Sequence, residues 1–466
     1  MRVSHADRTR AVLADLGISG TRGPLLVHSG LMRRREALVE YLNASLFVLP
    51  FAAGALSILV GWTVSMLEPA PGSWLAFLMF QGTAAEARDL LMQISGTMVT
   101  VMAVVLGLSV VALQTSSAQF SPRLLRNFLR DRPNQLVLSI FMGTFCYSAA
   151  GLYTVGVGAT AESFPRLAVS GSIAFMFASL AAVVFYADHV SHAIQVDSIM
   201  QRVELESLAV VSRLHEDVDL VPPEPPPWAI TIPARSSGYV VTAHPHLLIP
   251  LATRYGVSIA LTKRVGEHVV RGLPLARIWP VGRDEPLPDP GVFAHALDDA
   301  VGIGFERTRQ QDAAMGIRQL VDTACKALSP AVNDPYTAVQ AIDHMAVIFA
   351  AMARHHLGPR VIWAREQVVV IVPSRRFGEY LGTMCGLVRR YGAGEPTVDL
   401  AMLELLGTCA VIVRHDWTRL SEIADEARLV IADAEREIRQ PADVVAVRRA
   451  GDALLRKIAA YRPDAE

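Results

Sequence analysis

The chain has 466 residues, which is enough for two or three domains, because a single hydrophobic core rarely grows beyond about 250–300 residues. Hydrophobic residues make up 52% of the chain and its mean hydropathy is positive, so membrane spans are expected. The formal net charge of −1 gives no whole-molecule argument for a nucleic-acid partner, and four scattered cysteines argue against a zinc site or a disulfide framework.

The N-terminal third of the chain predicts a membrane domain. Residues 1–40 are charged and lack the apolar core of a signal peptide, so we expect a cytoplasmic N-terminal segment there. Residues 41–190 contain four charge-free stretches, each longer than the roughly 20 residues that a helix needs to cross a bilayer. The predicted spans are about 42–66, 90–115, 134–158 and 168–187.

The arginines predict the orientation of these spans. Seven arginines precede the first span and four lie between the second and the third, whereas the other two short connections carry only Arg88 and Arg166. Positive residues stay on the cytoplasmic side, so the N-terminus and the 116–134 segment are expected there. With four spans, everything after residue 190 is then cytoplasmic too. We expect a multi-pass protein of the bacterial inner (plasma) membrane, in contact with the lipid bilayer.

The second span carries a stripe of polar and small residues at seven-residue intervals. In a continuous helix Gln93, Thr100, Gly107, Gln114 and Ser121 share one side, while Met102, Leu106 and Leu113 lie off it. Small and hydroxylated residues allow close helix packing, which is one interpretation. The other is that several copies gather around an axis and line a pore. The candidate pore-lining residues are Gln93, Thr97, Thr100, Gly107, Gln114, Ser117 and Ser121.

Arginines follow this span at Arg123, Arg126 and Arg130, where they share a face if the helix continues past Pro122. They are expected either to meet anionic lipid headgroups or to form a cationic inner mouth that concentrates anions.

The chain leaves the fourth span with apolar residues at helical spacing, which predicts one long helix and a juxtamembrane connector over residues 191–220. Asp188, His189 and His192 lie at this exit. A metal site would need a further ligand, so we expect interfacial polar groups and no metal. The run "VPPEPPPWAI" then ends the helix and predicts a proline-rich linker over residues 221–235.

The soluble half predicts a small β-rich unit and then helices. Within residues 236–290, "SSGYVVTA" is typical of a strand, "HPHLLIPLATRYG" of a helix closed by Gly256, and Gly266 and Gly272 mark hairpin turns. Residues 291–466 are expected to be mainly helical, with one strand candidate at 366–373. The predicted fold is therefore a membrane protein with four transmembrane α-helices, followed by a cytoplasmic α+β region with a small β unit and a helical C-terminal part.

One stretch of the soluble half combines charged residues with a helix start. Arg307 and Arg309 could clamp an anion, or form structural ion pairs with Glu306 or Asp312. Asp334 followed by Pro335 matches a preferred helix start, and this capping competes with ligand binding by Asn333 and Asp334. We therefore group Arg307, Arg309, Asp312, Asn333 and Asp334 as a ligand-binding or structural network.

Two segments carry a resemblance to a known family. They are "VVALQTSSAQFSPRLLRNFLRDRPNQLVLSIFMGTFCYS" and "GFERTRQQDAAMGIRQLVDTACKALSPAVNDPYTAVQAIDHM", and they resemble the bacterial predicted membrane proteins grouped as domain of unknown function 2254. The resemblance covers most of the chain, from the first span to past residue 350. It implies four spans and a soluble C-terminal portion, and it implies no activity and no site residues.

Three functional hypotheses remain at this stage. Since the chain lacks a phosphate-binding loop, a dinucleotide fingerprint and the common hydrolase motifs, we expect no enzyme and no cofactor. The leading hypothesis is a homo-oligomeric inner-membrane pore for ions or small solutes, lined by the second span and assembled or gated by the cytoplasmic region. The alternative is a membrane-anchored sensor or scaffold whose soluble part binds a small ligand or a protein partner. A lipid-modifying membrane enzyme using Asp188, His189 and His192 is a third class.

Overall fold

The computed structural model describes residues 47–67, 77, 79–119, 132–156, 164–193, 195–213, 222–282, 289–363 and 368–462; for residues 115–119, 156 and 193 it describes the backbone only.

The N-terminal part consists of four long apolar helices, as predicted. They are α1 (Val48–Ser65), α2 (Ala84–Gln119), α3 (Arg132–Gly156) and α4 (Arg166–Ala193). Each is long and apolar enough to cross a membrane. Helix α2 starts at Ala84 rather than near residue 90, because Thr83 and Glu86 cap its N-terminus reciprocally.

Helix α3 is the centre of this bundle, since it packs against α1, α2 and α4. Its side chains Phe141 and Tyr147 are almost completely buried. Hydroxyl groups bond between helices where they are enclosed: Thr144 lies 2.8 Å from Ser179 of α4, and Ser109 of α2 bonds to Tyr186. These hydroxyl pairs link neighbouring helices, whereas the buried hydroxyls of Ser95 and Ser148 form no hydrogen bond among the described residues.

The connector after the fourth span is a separate helix, so the prediction of one continuous helix is wrong. Helix α4 ends at Ala193 and α5 occupies Val196–Val211, with Gln195 in an extended conformation between them. The break allows α5 to turn its own apolar side, including Met200, Val203 and Val211, into the core of the soluble part. Residues 214–220 of the predicted connector lie outside the described part of the chain.

The soluble part contains two sheets. The larger has the strand order β1 (Ile230–Pro233), β5 (Pro274–Pro280), β3 (Val257–Leu261), β8 (Val369–Val372), β7 (Arg360–Trp363). The smaller has the order β4 (His268–Val269), β2 (Gly238–Ala243), β6 (Val301–Gly304). Strands β3 and β8 pair in parallel, and the other pairs are antiparallel. The strands share one apolar core with α6 (Ile249–Tyr255) and α7 (Pro290–Ala300).

The β-strands are spread over a longer part of the chain than the predicted unit over residues 236–290. Strand β1 lies inside the predicted linker, and three strands (β6, β7 and β8) follow residue 290. Strand β8 is the one expected at 366–373, and it enters the larger sheet beside β3. All four of its residues are buried, so it needs a sheet partner and cover on both faces, which only distant parts of the chain supply. The turn glycines are present, and Gly256 closes α6 with φ +60°.

Six further helices form the C-terminal part: α8 (Ala313–Ala327), α9 (Pro335–Met352), α10 (Phe377–Gly392), α11 (Pro396–Ile412), α12 (Trp417–Glu437) and α13 (Pro441–Ala459). Together with α5 they enclose one large apolar core. The predicted fold class is confirmed.

Candidate functional site

The polar stripe of α2 lies on the side of the helix that the bundle leaves uncovered. The buried side of α2 carries Ala87, Leu91, Ile94, Met98, Val105 and Ala112. The predicted residues Gln93, Thr97, Thr100, Gly107 and Gln114 are all exposed. A Cβ added at Gly107 would meet nothing within 4 Å. The other three described spans therefore do not cover these five positions.

The described part of the stripe begins and ends with a glutamine, and two valines interrupt its polar and small residues. Val104 and Val111 continue the same four-and-three spacing and are 64% and 56% exposed. Gln93 and Gln114 are about 30 Å apart along a helix that rises 1.5 Å per residue, which is close to the hydrocarbon thickness of a bilayer. Neither amide forms a hydrogen bond with the residues that the structure describes, whereas Thr100 bonds to the carbonyl of Gly96. The amides thus mark the two ends of a weakly polar face.

Part of the predicted membrane site lies outside the described residues. This applies to Ser121, Arg123, Arg126 and Arg130, and to the side chain of Ser117, although its backbone belongs to α2.

The polar group at the exit of α4 is exposed. His192 Nδ1 lies 2.9 Å from the carbonyl oxygen of Asp188 and 3.5 Å from its carboxylate, and the His189 ring stacks on Phe185. Among the described residues, no three His, Cys, Asp or Glu side chains lie close enough together to hold a metal.

The five residues of the predicted charged network do not form one site. The Arg307 guanidinium pairs with the Asp312 carboxylate, and both side chains are largely buried. Arg309 instead pairs with Glu206 of α5 at 2.5 Å and approaches Gln319 at 3.4 Å, so its partner is neither Glu306 nor Asp312.

The helix start expected at Pro335 is present. The carboxylate of Asp334 accepts hydrogen bonds from the backbone N–H (3.1 Å) and the hydroxyl (2.6 Å) of Thr337, and these bonds lower the pKa of Asp334. Asn333 has φ +51°, a left-handed conformation that Asn tolerates better than most residues. Both residues shape the turn before α9.

A cavity of about 710 Å³ opens next to the Arg307–Asp312 pair. Its walls come from the C-terminal end of α5, the segment after β2, strand β7, the end of β8 and the starts of α8 and α10. The arginines in these walls are Arg213, Arg264, Arg360 and Arg375. Asp312 is the only member of the predicted network in the lining.

Three lining residues that the sequence did not single out determine the electrostatics of this cavity. Arg264 pairs with Glu267 (2.8 Å) and Glu379 (2.6 Å). Burial, together with the positive charges of Arg264 and Arg307, lowers the pKa of Arg375. Burial raises the pKa of Tyr380 to about 12, so its hydroxyl stays protonated at neutral pH. Only the adjacent pair Arg375–Arg376, directly before a helix, could have indicated this site in the sequence.

Comparisons with known proteins agree with the membrane architecture. A family model described as "Predicted membrane protein (DUF2254)" matches residues 43–408. An uncharacterised protein of Mycobacterium bovis is 38% identical over 423 residues, which cover 89% of this chain and 81% of the relative. An uncharacterised protein of Mycobacterium tuberculosis strain H37Rv matches with the same identity and coverage. No solved structure shows a significant match.

Proposed function

The chain belongs to the DUF2254 family of predicted membrane proteins, and we propose that it assembles as a homo-oligomeric pore for ions or small solutes. In this assembly α2 turns its polar stripe toward a shared axis. The soluble region assembles or gates the pore, and no catalytic step is involved.

The single observation that carries this proposal is that the polar stripe of α2 lies outside the bundle, where the other described spans leave it uncovered. Inside, Thr144 and Ser109 have hydrogen-bond partners on neighbouring helices. Outside, Gln93 and Gln114 are exposed and have no such partner among the described residues. Thr97 lies between these amides and is also exposed without such a partner. A polar side chain that faces hydrocarbon without a partner is unfavourable, so an aqueous axis accounts for the stripe better than lipid does.

Val104 and Val111 give this pore a gate. They lie on the stripe between the two amides, so a ring of copies would place an apolar constriction between two polar mouths. Narrow apolar sections close channels by expelling water. The proposal therefore includes a dry constriction that opens when the helices separate.

The proposed location is a bacterial inner membrane with both termini in the cytoplasm. The arginine distribution supports this orientation, since the two segments richest in arginine then lie on the same side.

The direct test is reconstitution of the purified chain into liposomes, followed by measurement of ion flux. The expected result is flux above that of protein-free vesicles, altered by Gln114→Leu and unaltered by Val99→Leu. Val99 is a matched control because it is 54% exposed on α2 but lies off the stripe. Flux no greater than that of protein-free vesicles, with or without added ligand, would end the proposal.

A second test uses single cysteines and a membrane-impermeant thiol reagent. Cysteines that replace Thr97 or Thr100, outside the proposed constriction, should react from water, because they line the pore, while cysteines at Val99, Leu106 or Val110 should not, because they face lipid. If the stripe is only a dry contact between copies, the first group is protected as well, and the pore is rejected while the oligomer is retained.

The cavity of the soluble part favours the second candidate function, a membrane-anchored sensor that binds a small ligand. It is a large, charged and partly apolar space that contacts the connector helix α5. In this candidate the spans anchor and oligomerise the chain without conducting. Ligand binding without flux would select it.

A further inference from the structure

The walls of the cavity carry an excess of positive charge. Four arginines line it, and among the described lining residues Asp312 is the single carboxylate. Asp312 is already paired with Arg307, and Arg264 is paired with Glu267 and Glu379. Arg375 forms no ion pair with the residues that the structure describes. Positive charge therefore remains uncompensated inside a partly desolvated space.

Two guanidinium groups in this cluster have donors without acceptors. Nε of Arg375 and Nη2 of Arg307 are buried and form no hydrogen bond within the described residues. Asp312 holds the Arg307 guanidinium through Nε. Nη2 of Arg307 is therefore held in place without an acceptor among the described residues. Buried donors are nearly always satisfied in folded proteins, by the protein, by water or by a ligand. Arg375 lines the cavity, so an anion there would supply an acceptor for its Nε, while Arg307 lies behind Asp312 and adds positive charge to the site.

The N-terminus of α8 adds a further positive contribution. Asp312 is its N-cap residue and lines the cavity, but no side chain of the described residues forms a capping hydrogen bond at this helix end. Free backbone N–H groups and the helix dipole favour an anion at such a position.

We propose that this cavity binds a small organic phosphate. A phosphate group carries close to two negative charges and three strong acceptor oxygens, so it can compensate several convergent guanidinium groups, which a single carboxylate cannot. The cavity is far larger than a bare phosphate ion and lies within the size range of small-molecule sites. Val210, Ile249, Ile362 and Trp363 provide apolar lining for the organic part of the ligand.

The cavity is also lined by α5, the helix that follows the fourth span. Val210 and Arg213 at the C-terminal end of α5 line the cavity. The ligand would thus contact the connector helix directly. This inference does not depend on the pore, because binding is measured without any flux.

The test measures thermal unfolding and calorimetric binding of the full chain in detergent, with inorganic pyrophosphate as the probe. Sodium chloride at matched ionic strength serves as the reference. Pyrophosphate should raise the melting temperature of the natural chain. Arg375→Gln should weaken binding at least tenfold, while Arg428→Gln should bind like the natural chain. Arg428 is a matched control, because it is an arginine on the exposed surface of α12 and, among the described residues, its ion pair is with the nearby Asp425.

A second readout separates a binding residue from a structural one. Because Arg375 is a half-buried cation among other cations, Arg375→Gln should raise the melting temperature without ligand while it abolishes the pyrophosphate effect. The proposal is overturned if millimolar pyrophosphate leaves the natural chain unchanged, or if it stabilises both variants equally. It is also overturned if unliganded Arg375→Gln unfolds at a lower temperature than the natural chain.

Discussion

Ser207 on the connector helix α5 lies directly against Gly316 on α8, where a Cβ added to the glycine would overlap the serine hydroxyl. Both residues are buried. Two further contacts reinforce the same docking: an ion pair between Glu206 and Arg309, and a hydrogen bond between Glu204 and His344 at 2.5 Å. The helix that follows the fourth span is thereby fixed to the soluble helices, and this contact is the physical link between membrane and soluble parts.

Gly316→Ala should loosen this docking. The added methyl group forces the Ser207 hydroxyl to leave its bond to the Val203 carbonyl or α5 to move away from α8, and overpacking of this kind costs about 1–3 kcal/mol. The gain of about 1 kcal/mol in helix propensity only partly offsets it. Thermal unfolding of the solubilised chain should occur at a lower temperature. Gly382→Ala is the control, since a Cβ there meets nothing within 4 Å in α10, and it should raise the melting temperature. The double substitution Ser207→Gly with Gly316→Ala should recover part of the lost stability. Failure to recover any would contradict the contact.

Gly266→Ala should disturb the Arg307–Asp312 pair. A Cβ at position 266 would overlap the Asp312 carboxylate and lie 2.8 Å from Nε of Arg307. Gly272→Ala is the matched control: the two glycines have nearly equal φ, +87° and +85°, but a Cβ at 272 meets nothing within 4 Å. Both variants lose about 1 kcal/mol to backbone strain, and only Gly266→Ala loses the ion pair as well. Denaturant unfolding should show the larger loss for Gly266→Ala; equal losses would show that the pair tolerates the change.

Asp399 should make the protein less stable as the pH rises. It is fully buried on α11, neither of its carboxylate oxygens has a hydrogen-bond partner among the described residues, and burial together with Asp433 and Glu395 raises its pKa from 3.8 to about 8. Between pH 4 and pH 8 the folded chain therefore holds a proton that the unfolded chain releases, so the free energy of unfolding falls with rising pH in this window.

Asp399→Asn removes this titration. Its melting temperature should exceed that of the natural chain by an amount that grows from pH 5 to pH 8. Asp425→Asn, at a carboxylate that is largely exposed, should give a small difference that does not change in this way. A constant difference for Asp399→Asn across this range would show that Asp399 is ionised in the folded chain.

The proposed orientation predicts a cytoplasmic C-terminus. Green fluorescent protein fused after the last residue should fluoresce, and alkaline phosphatase fused at the same point should be inactive, because the phosphatase folds only after export. Phosphatase inserted at Gly82, in the connection between the first two spans, should be active. The opposite pattern would reverse the topology and place the cavity outside the cytoplasm.

Several elements followed from local sequence alone. The four apolar stretches needed no tertiary information, because length and the absence of charge suffice to define a membrane helix. The start of α9 at Asp334–Pro335 and the end of α6 at Gly256 were equally local, since caps depend on residues within one helical turn. The connector was misjudged at Gln195, because the apolar periodicity continues across a break that is set by the packing of α5.

The sequence by itself determined the four apolar helices long enough to cross a membrane and which of them carries the polar stripe. Only the tertiary structure decided that the stripe faces outward, since the uncovered side of α2 depends on how α3 and α4 pack. It alone assembled the cavity, because Val210, Arg264, Asp312 and Arg375 belong to four distant segments. Hydropathy and capping act within a few residues, whereas burial and electrostatic compensation depend on which distant residues meet.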